Sequence, residues 1–355
     1  MSMDGANYAP TTATKAVVQP GEFKFAAAFL DHGHIYGQTN GLLNAGGTLC
    51  AVYDPNPERV ATYIKAYPQA QVATSFEALL EDPSLSLIAS AAVPSQRCAI
   101  GLQVMDANKD YFTDKAPFTT LDQLQAARAG VQRSGRRYFV YYAERVHNEA
   151  AWHAGELIAD RAIGDVVHVA ILAPHRLSPA TRPDWFFQKA HYGGIITDIG
   201  SHQAEQFLSY TGNANATVTF ATASNYAHPQ YPELEDVGEF GLKGETGAGF
   251  YSRVDWFTPD GLSVWGDGRT FIVGTQGTLE LRKYTNLGKT SSASLILLTD
   301  AITTTEIDCQ NQVGYPFFGQ LILDSLNGTE TAMSQAHIFT AAELTLRAQA
   351  IADKT

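Results

Sequence analysis

Two residues in "HYGGIITDIGSHQ" have the types and spacing for proton chemistry. Asp198 and His202 stand four positions apart. On a helix or its first turn that interval puts an acid and an imidazole on one face, where the carboxylate orients the ring and raises its basicity. Such a pair suits proton transfer. The same residues also read as a helix cap and a buried core histidine. A metal site joining them to His32 or His34 would need a close ligand spacing of the H-E-x-x-H kind, which the sequence lacks, so no metal is assigned.

A second group of residues suits a dinucleotide. "FLDHGHIYGQ", residues 29 to 38, follows the apolar run "FKFAAAFL" where a G-x-G-x-x-G phosphate loop would lie, and Gly33, His34 and Ile35 would face the cofactor. Asp31 and Tyr36 occupy two of the three glycine positions. Asp31 would set a carboxylate near a pyrophosphate, an unfavourable contact, and Tyr36 would obstruct close helix-strand packing. Asp54 ends the next apolar run about 20 residues on, where an acid accepts from a ribose 2'-hydroxyl and favours NAD over NADP. Followed by Pro55, it reads equally as a turn or a helix cap, and Arg59 nearby argues slightly the other way. Pro94 in "VPSQR", Lys115 in "FTDKAPF" and Arg145 in "YYAERV" lie on loops or strand ends where a cofactor would bind; Lys115 brings a mobile cation, and by itself is also an ordinary surface charge. His175, Asp184 and Trp185, with Arg182 in "RPDWFF", are candidates for holding substrate hydroxyls and a sugar face, or are loop and core packing.

The elements that must position these residues change character midway. "FKFAAAFL", "GTLCAVYD", "LSLIASAAV", "KDYFTDK" and "RRYFVYYAE" are short apolar runs separated by helical segments, which predicts a doubly wound parallel sheet. Thr120 with Gln123 three residues on predicts a helix start, as does proline early in "PERVATYIKAY". After a helix in "NEAAWHAGELIADRAIG" come the runs "DVVHVAILA", "ATVTFATAS", "DVGEFGLKG", "GAGFYSRVDWF", "LSVWGDG", "TFIVGT" and "GTLELRKY", several of which alternate with period two. They predict a large open, mostly antiparallel sheet. The expected division is a flexible arm over 1–22, a dinucleotide-binding domain over 23–144, and a substrate-binding and oligomerisation α/β domain over 145–355, whose terminal helices pack back on the first domain.

Charge narrows the partners. The chain has 36 Asp and Glu against 24 Lys and Arg, a formal net charge of −12, and no basic cluster longer than "SGRRY", which argues against nucleic acid. Apolar stretches such as "LIASAAV" fall far short of the roughly 20 residues that span a bilayer, and no basic-then-apolar leader opens the chain. The expectation is a cytoplasmic protein without a membrane partner. Cys50, Cys98 and Cys309 are far apart and are expected to be buried, reduced thiols.

In this order the motifs resemble the Gfo/Idh/MocA oxidoreductases, the family of glucose-fructose oxidoreductase and inositol dehydrogenase. The resemblance runs from residue 23 to about 350, through the Gly33 loop, Asp54, "VPSQR", "DKAP", "YYAERV", "GGIITDIGSH", "GTQGTLEL" and two terminal helical stretches. It implies a Rossmann domain followed by the open-sheet domain, and assembly as a homodimer or homotetramer. Lys115 matches the lysine of the family's Glu-Lys-Pro motif, and Asp198 and His202 match its Asp-x-Gly-x-His motif, three residues that converge near the nicotinamide. The chain departs from the first motif at Asp114 and Ala116, with Pro117 one place late. The implied activity is NAD-dependent hydride transfer from a sugar, polyol or related derivative, with His202 as base, Lys115 bonding the same oxygen and Asp198 fixing the imidazole. Redox-neutral elimination or glycosidic cleavage assisted by NAD is one alternative; a cofactor-free family member with a degenerate loop is another.

Overall fold

The computed structural model describes residues 15–289 and 293–354. Residues up to Tyr141 form one compact unit with Tyr315–Phe339; Tyr142–Gly314 and the residues from Thr340 on form a second. The sequence reading set 315–339 in the domain over 145–355 with its terminal helices packing back on the first domain; the segment groups with the first unit, where the fully buried Phe317 and Phe318 stand 6.1 and 6.4 Å from Phe112, ring centre to ring centre.

In the first unit, strands β1 (Lys24–Ala28), β2 (Thr48–Tyr53), β3 (Gln71–Val72), β4 (Leu87–Ser90), β5 (Asp110–Asp114) and β6 (Tyr138–Tyr141) are all parallel, in the order β3-β2-β1-β4-β5-β6. This is the expected doubly wound sheet. Its order reverses between β1 and β4, where such sheets open a ligand crevice. β3 is an addition: two exposed residues carry too little apolar pattern to announce a strand.

Helices α1 (His34–Asn44), α2 (Pro57–Ala66), α3 (Phe76–Glu81), α4 (Arg97–Asp106) and α5 (Leu121–Ser134) fill the crossovers. Thr120 Oγ1 accepts from the Gln123 amide at 3.2 Å, and α5 stops at Gly135 with φ 66°. The first 14 residues of the expected arm lie outside the described residues. Of those that follow, Val17 N–H donates to Ala45 O at 2.9 Å and Val18 is buried, while the rest of 15–22 is exposed.

The second unit holds α6 (Ala143–Val146), α7 (Glu149–Ala159), α8 (Lys189–Tyr192), α9 (Ile195–Asp198) and α10 (Gly200–Thr211). Its sheet has eight strands: β7 (Val166–Pro174), β8 (Ala216–Ser224), β9 (Val237–Gly244), β10 (Gly249–Asp255), β11 (Arg269–Gly274), β12 (Thr278–Arg282), β13 (Leu295–Thr299) and β14 (Thr304–Asp308). The order is β14-β13-β12-β11-β7-β10-β9-β8, antiparallel except where β7 meets β10. α9 and α10 lie against β7, β9 and β10 on one face; on the other, Phe220, Phe271 and Val273 are exposed.

"LSVWGDG" is not the strand its alternation suggested. It forms an irregular loop in which Trp265 O accepts from Arg176 N–H at 2.8 Å. Gly266 comes so close to Pro174 O that a methyl group there would sit 2.3 Å away, an approach that only glycine permits. β13 and β14 were not expected.

Among the described residues no helix is long and apolar enough to cross a membrane. All three cysteines are free, Cys98 and Cys309 buried and Cys50 half-buried.

The seat of α1 depends on the late segment. A methyl group at Gly41 would lie 2.2 Å from Phe318 Cε1 and Cζ. Gly41→Ala gains up to about 1 kcal/mol of helix propensity but overpacks this contact, typically at a cost of about 1–3 kcal/mol. The variant should therefore unfold at lower urea concentration; a midpoint at or above the parent's would mean that Phe318 swings aside.

Candidate active site

In the first unit, the loop from β1 to α1 is built without most of the expected glycines. Phe29 takes the left-handed turn at φ 56°, and its ring stands 4.8 Å from Phe76 and 5.9 Å from Tyr53. Leu30 N–H then donates to Asp54 Oδ2 at 2.6 Å, and Asn56 N–H to Asp54 Oδ1 at 2.7 Å. The Asp54 side chain is wholly buried, so the carboxylate sequence reasoning offered to a ribose also ties the loop to the end of β2.

Arg59 Nη1 lies 2.5 Å from Asp31 Oδ1 and 3.7 Å from Asp54. The repulsive carboxylate expected at the first glycine position thus has a cation beside it. Burial raises the Asp31 carboxyl above its ordinary range, Arg59 opposes the rise, and the charge of Asp54 adds to it. Tyr36 does not wedge between helix and sheet. It is half-buried and turns toward Tyr63 and Tyr67 of α2, at 5.6 and 6.0 Å, while Ile35, Gln38 and Leu42 make the buried face of α1. The amides of Asp31 and Gly33 donate to no acceptor among the described residues, which leaves donors at the start of α1 where an anion is favoured. The loop therefore fits a dinucleotide phosphate without its full glycine set.

Asp114, at the end of β5, is a hub that sequence reasoning missed. Its carboxylate accepts from Lys115 N–H at 2.8 Å and meets His34 Nδ1 at 2.8 Å, Arg97 Nη2 at 3.2 Å and His32 Nδ1 at 3.3 Å. Burial alone would raise its pKa, but the charges of His34 and Arg97 hold it well below the carboxylate range. Arg97, the last residue of "VPSQR", is 1% exposed and also donates to Ala92 O, Lys115 O and Ala116 O. It fixes the backbone from which Lys115, itself buried, projects; the Lys115–Ala116 peptide is cis. Pro94, itself buried, opens the single turn Pro94–Gln96 just before Arg97. His32, His34 and Asp114 bring ligand-type atoms within 4.8 Å of one another. The Arg97 guanidinium stands beside the same carboxylate and opposes a further cation there.

In the second unit, Gly193 and Gly194 take φ of 88° and 95°, and a methyl on Gly194 would strike the Gln349 amide at 2.2 Å. Those left-handed turns aim α9, which ends at Asp198; α10 follows, with His202 in its first turn, and both side chains are buried. The His202 ring meets Tyr142 edge-on at 6.2 Å. His175 follows β7, its ring 4.5 Å from Trp265 and 5.5 Å from Trp256. Arg182 stacks over Phe186 and Trp256, at 4.2 and 5.0 Å. Asp184 is exposed at the start of the short turn Asp184–Phe187, and Trp185 is half-buried beside it.

The structure adds Glu144 and Lys283 to this set. Both side chains are 0% exposed and 2.6 Å apart. Burial alone would raise the Glu144 carboxyl; the charge of Lys283, then those of His202 and His175, drives it below the ordinary carboxylate range instead. Arg145, expected at a cofactor, commits its guanidinium to Glu205 of α10, with Nε–Oε1 at 2.7 Å and Nη2–Oε1 at 2.5 Å. One signal for Glu144 was available: an acid embedded in the apolar run "YFVYYAERV".

Comparison with known proteins now bears on this geometry. Residues 152–280 match a family model described as the GFO/IDH/MocA C-terminal domain. A crystal structure named as an oxidoreductase from Erwinia carotovora atroseptica SCRI1043 is 44% identical, with a TM-score of 0.91 over 93% of this chain and 99% of that one. A D-xylose dehydrogenase from Paenarthrobacter nicotinovorans is 22% identical over 53% of this chain, and the match spans half of its own length. A levoglucosan dehydrogenase solved with NADH and levoglucosan shares the fold at 15% identity and a TM-score of 0.75, over 94% of this chain and 97% of that one. With a relative this close over nearly its whole length, and with the matched domain model, this chain belongs to the Gfo/Idh/MocA oxidoreductase family.

Proposed function

We propose that this chain is an NAD-dependent dehydrogenase that takes hydride from a carbinol carbon of a sugar, polyol or related derivative. The observation that carries the reading is the β1–α1 loop: it keeps unbonded amides at the helix start and balances Asp31 with Arg59, although two fingerprint glycines are gone. Family membership supports it, as do relatives named as sugar dehydrogenases, one of them solved with NADH. NADP is the lesser expectation.

Bound nicotinamide would supply the hydride acceptor. Within this reading, Gly33, His34, Ile35, Asp54, Pro94, Lys115 and Arg145 are the cofactor-binding set, with Asp54 and Arg145 acting through the loop and helix they fasten. His202 takes the hydroxyl proton, Lys115 donates to the same oxygen, and Asp198 orients the imidazole. His175, Asp184 and Trp185 bind substrate hydroxyls and a sugar face. A second copy of the chain, on the sheet face that exposes Phe220 and Phe271, completes a homodimer or homotetramer.

The test is calorimetric titration of ligand-stripped protein with NAD and NADP separately, followed by a panel of sugars and polyols assayed for reduced nicotinamide. NAD binding at about micromolar Kd with net reduction on turnover is expected. Binding without net reduction points to redox-neutral chemistry, and no binding of either nucleotide overturns the reading. His202→Ala should lower turnover by about 100-fold or more while cofactor affinity is kept; unchanged turnover removes His202 from the mechanism. Arg59→Ala should weaken NAD binding by about fivefold, the ~1 kcal/mol of one unbalanced like charge near water, and Asp31→Gly should tighten it. If both variants bind as the parent does, the pair is not at the phosphates.

A further inference from the structure

Glu144 is more than one half of a buried ion pair. Lys283 Nζ lies 2.6 Å from its Oε2, and Gln203 Nε2 donates to its Oε1 at 3.1 Å. Gln206 closes the other side: its Oε1 accepts from Lys283 Nζ at 3.4 Å, and its Nε2 donates to Gln203 Oε1 at 2.9 Å. His175 Nε2 stands 3.5 Å from Glu144 Oε1, within ion-pair reach, while its Nδ1 is 3.1 Å from Ala173 O. Both ring nitrogens thus face acceptor oxygens. A neutral imidazole has one N–H and one lone pair, so one nitrogen would meet an oxygen lone pair to lone pair; the imidazolium donates at both. The rings of Trp256 and Trp265 around it also favour a cation.

We propose that Glu144 is a positioning residue that holds His175 as the imidazolium, with Lys283 and Gln203 fixing the carboxylate behind it. The identification of His175 as a substrate-side group rests on the dehydrogenase reading; its charge state does not. Other charges near the ring act against the cation or are balanced elsewhere. Lys283 and His202 share Glu144, and Arg182 lies across Trp256. Arg176, next along the chain, is 3.6 Å from Asp260, and Asp255, whose carbonyl accepts from His175 N–H at 2.7 Å, holds Arg253 with its carboxylate at 2.8 Å. Glu144 Oε1 is within ion-pair reach of the ring. Burial would neutralise this carboxylate, and the charges of Lys283, His202 and His175 keep it ionised.

The test is an NMR titration of the intact chain labelled with 13C-histidine, without cofactor or substrate, with His175→Gln to assign the resonance. In the parent, His175 should remain protonated at pH 7, with a midpoint at least one unit above the ordinary histidine value of about 6.5. Glu144→Gln should lower that midpoint by one unit or more, a tenfold loss of proton affinity, and Glu144→Asp, with the carboxylate drawn back, by less. A parent His175 that is neutral at pH 7, or a midpoint unmoved in a folded Glu144→Gln protein, overturns the proposal. Should Glu144→Gln fail to fold, the parent titration and Glu144→Asp decide it alone. Because no nucleotide enters the measurement, its outcome is independent of whether the chain binds NAD.

Discussion

The second unit is organised around two opposite charges removed from water. Separating Glu144 from Lys283 would strand one of them at a cost of several kcal/mol, while a well-packed apolar pair would be about as stable, so the pair's value lies in what it specifies. Its neighbour in sequence, Arg145, carries the reverse charge and finds Glu205. The short helix α6 therefore presents an acid and then a base, with Lys283 for the first and α10 for the second. A slip between α6 and α10 would put like charges together. His202 is carried on α10 and His175 faces the same carboxylate, so the polar chemistry of the unit inherits its geometry from this arrangement.

The first unit solves an equivalent problem with hydrogen bonds to backbone. Asp54 follows β2 and Asp114 ends β5, and their carboxylates accept from backbone amides, Leu30 and Asn56 for the first and Lys115 for the second. Arg97 joins Asp114 to the Lys115 segment, donating to three carbonyls from a fully buried position. Where a glycine-rich loop would let phosphate approach bare backbone, this loop uses Phe29 for the turn and a carboxylate-guanidinium pair at its rim. The architecture of the loop is kept while its chemistry becomes more polar.

Much of the fold was legible because burial writes a period into the chain. The apolar runs of β1, β2, β4, β5 and β6, and the period-two runs of β7 to β12, located those strands. The capping pattern at Thr120 located α5. What failed had no local signature or a misleading one. β3 is too short, and "LSVWGDG" alternates like a strand although two flanking glycines let it fold as a loop against β7. Within the site, the spacing of Asp198 and His202 was visible. The partnership of Glu144 with Lys283 was not, because 139 positions separate them and each alone resembles a surface charge. Arg97 was hidden for the same reason, and Tyr36 looked obstructive because sequence does not say which way a ring points.

The return of residues 315–339 to the first unit has a consequence for the way the protein is made. The six parallel strands of that unit are complete once residue 141 has been synthesised, yet the surface that receives Phe317 and Phe318, including Gly41 on α1 and Phe112 on β5, stays uncovered while the whole second sheet is translated. A ribosome must add more than 170 further residues before that apolar surface is shielded, counted from residue 141 to Phe317. The nascent chain therefore passes through a long interval with an open hydrophobic face, the period in which chaperones have most to bind.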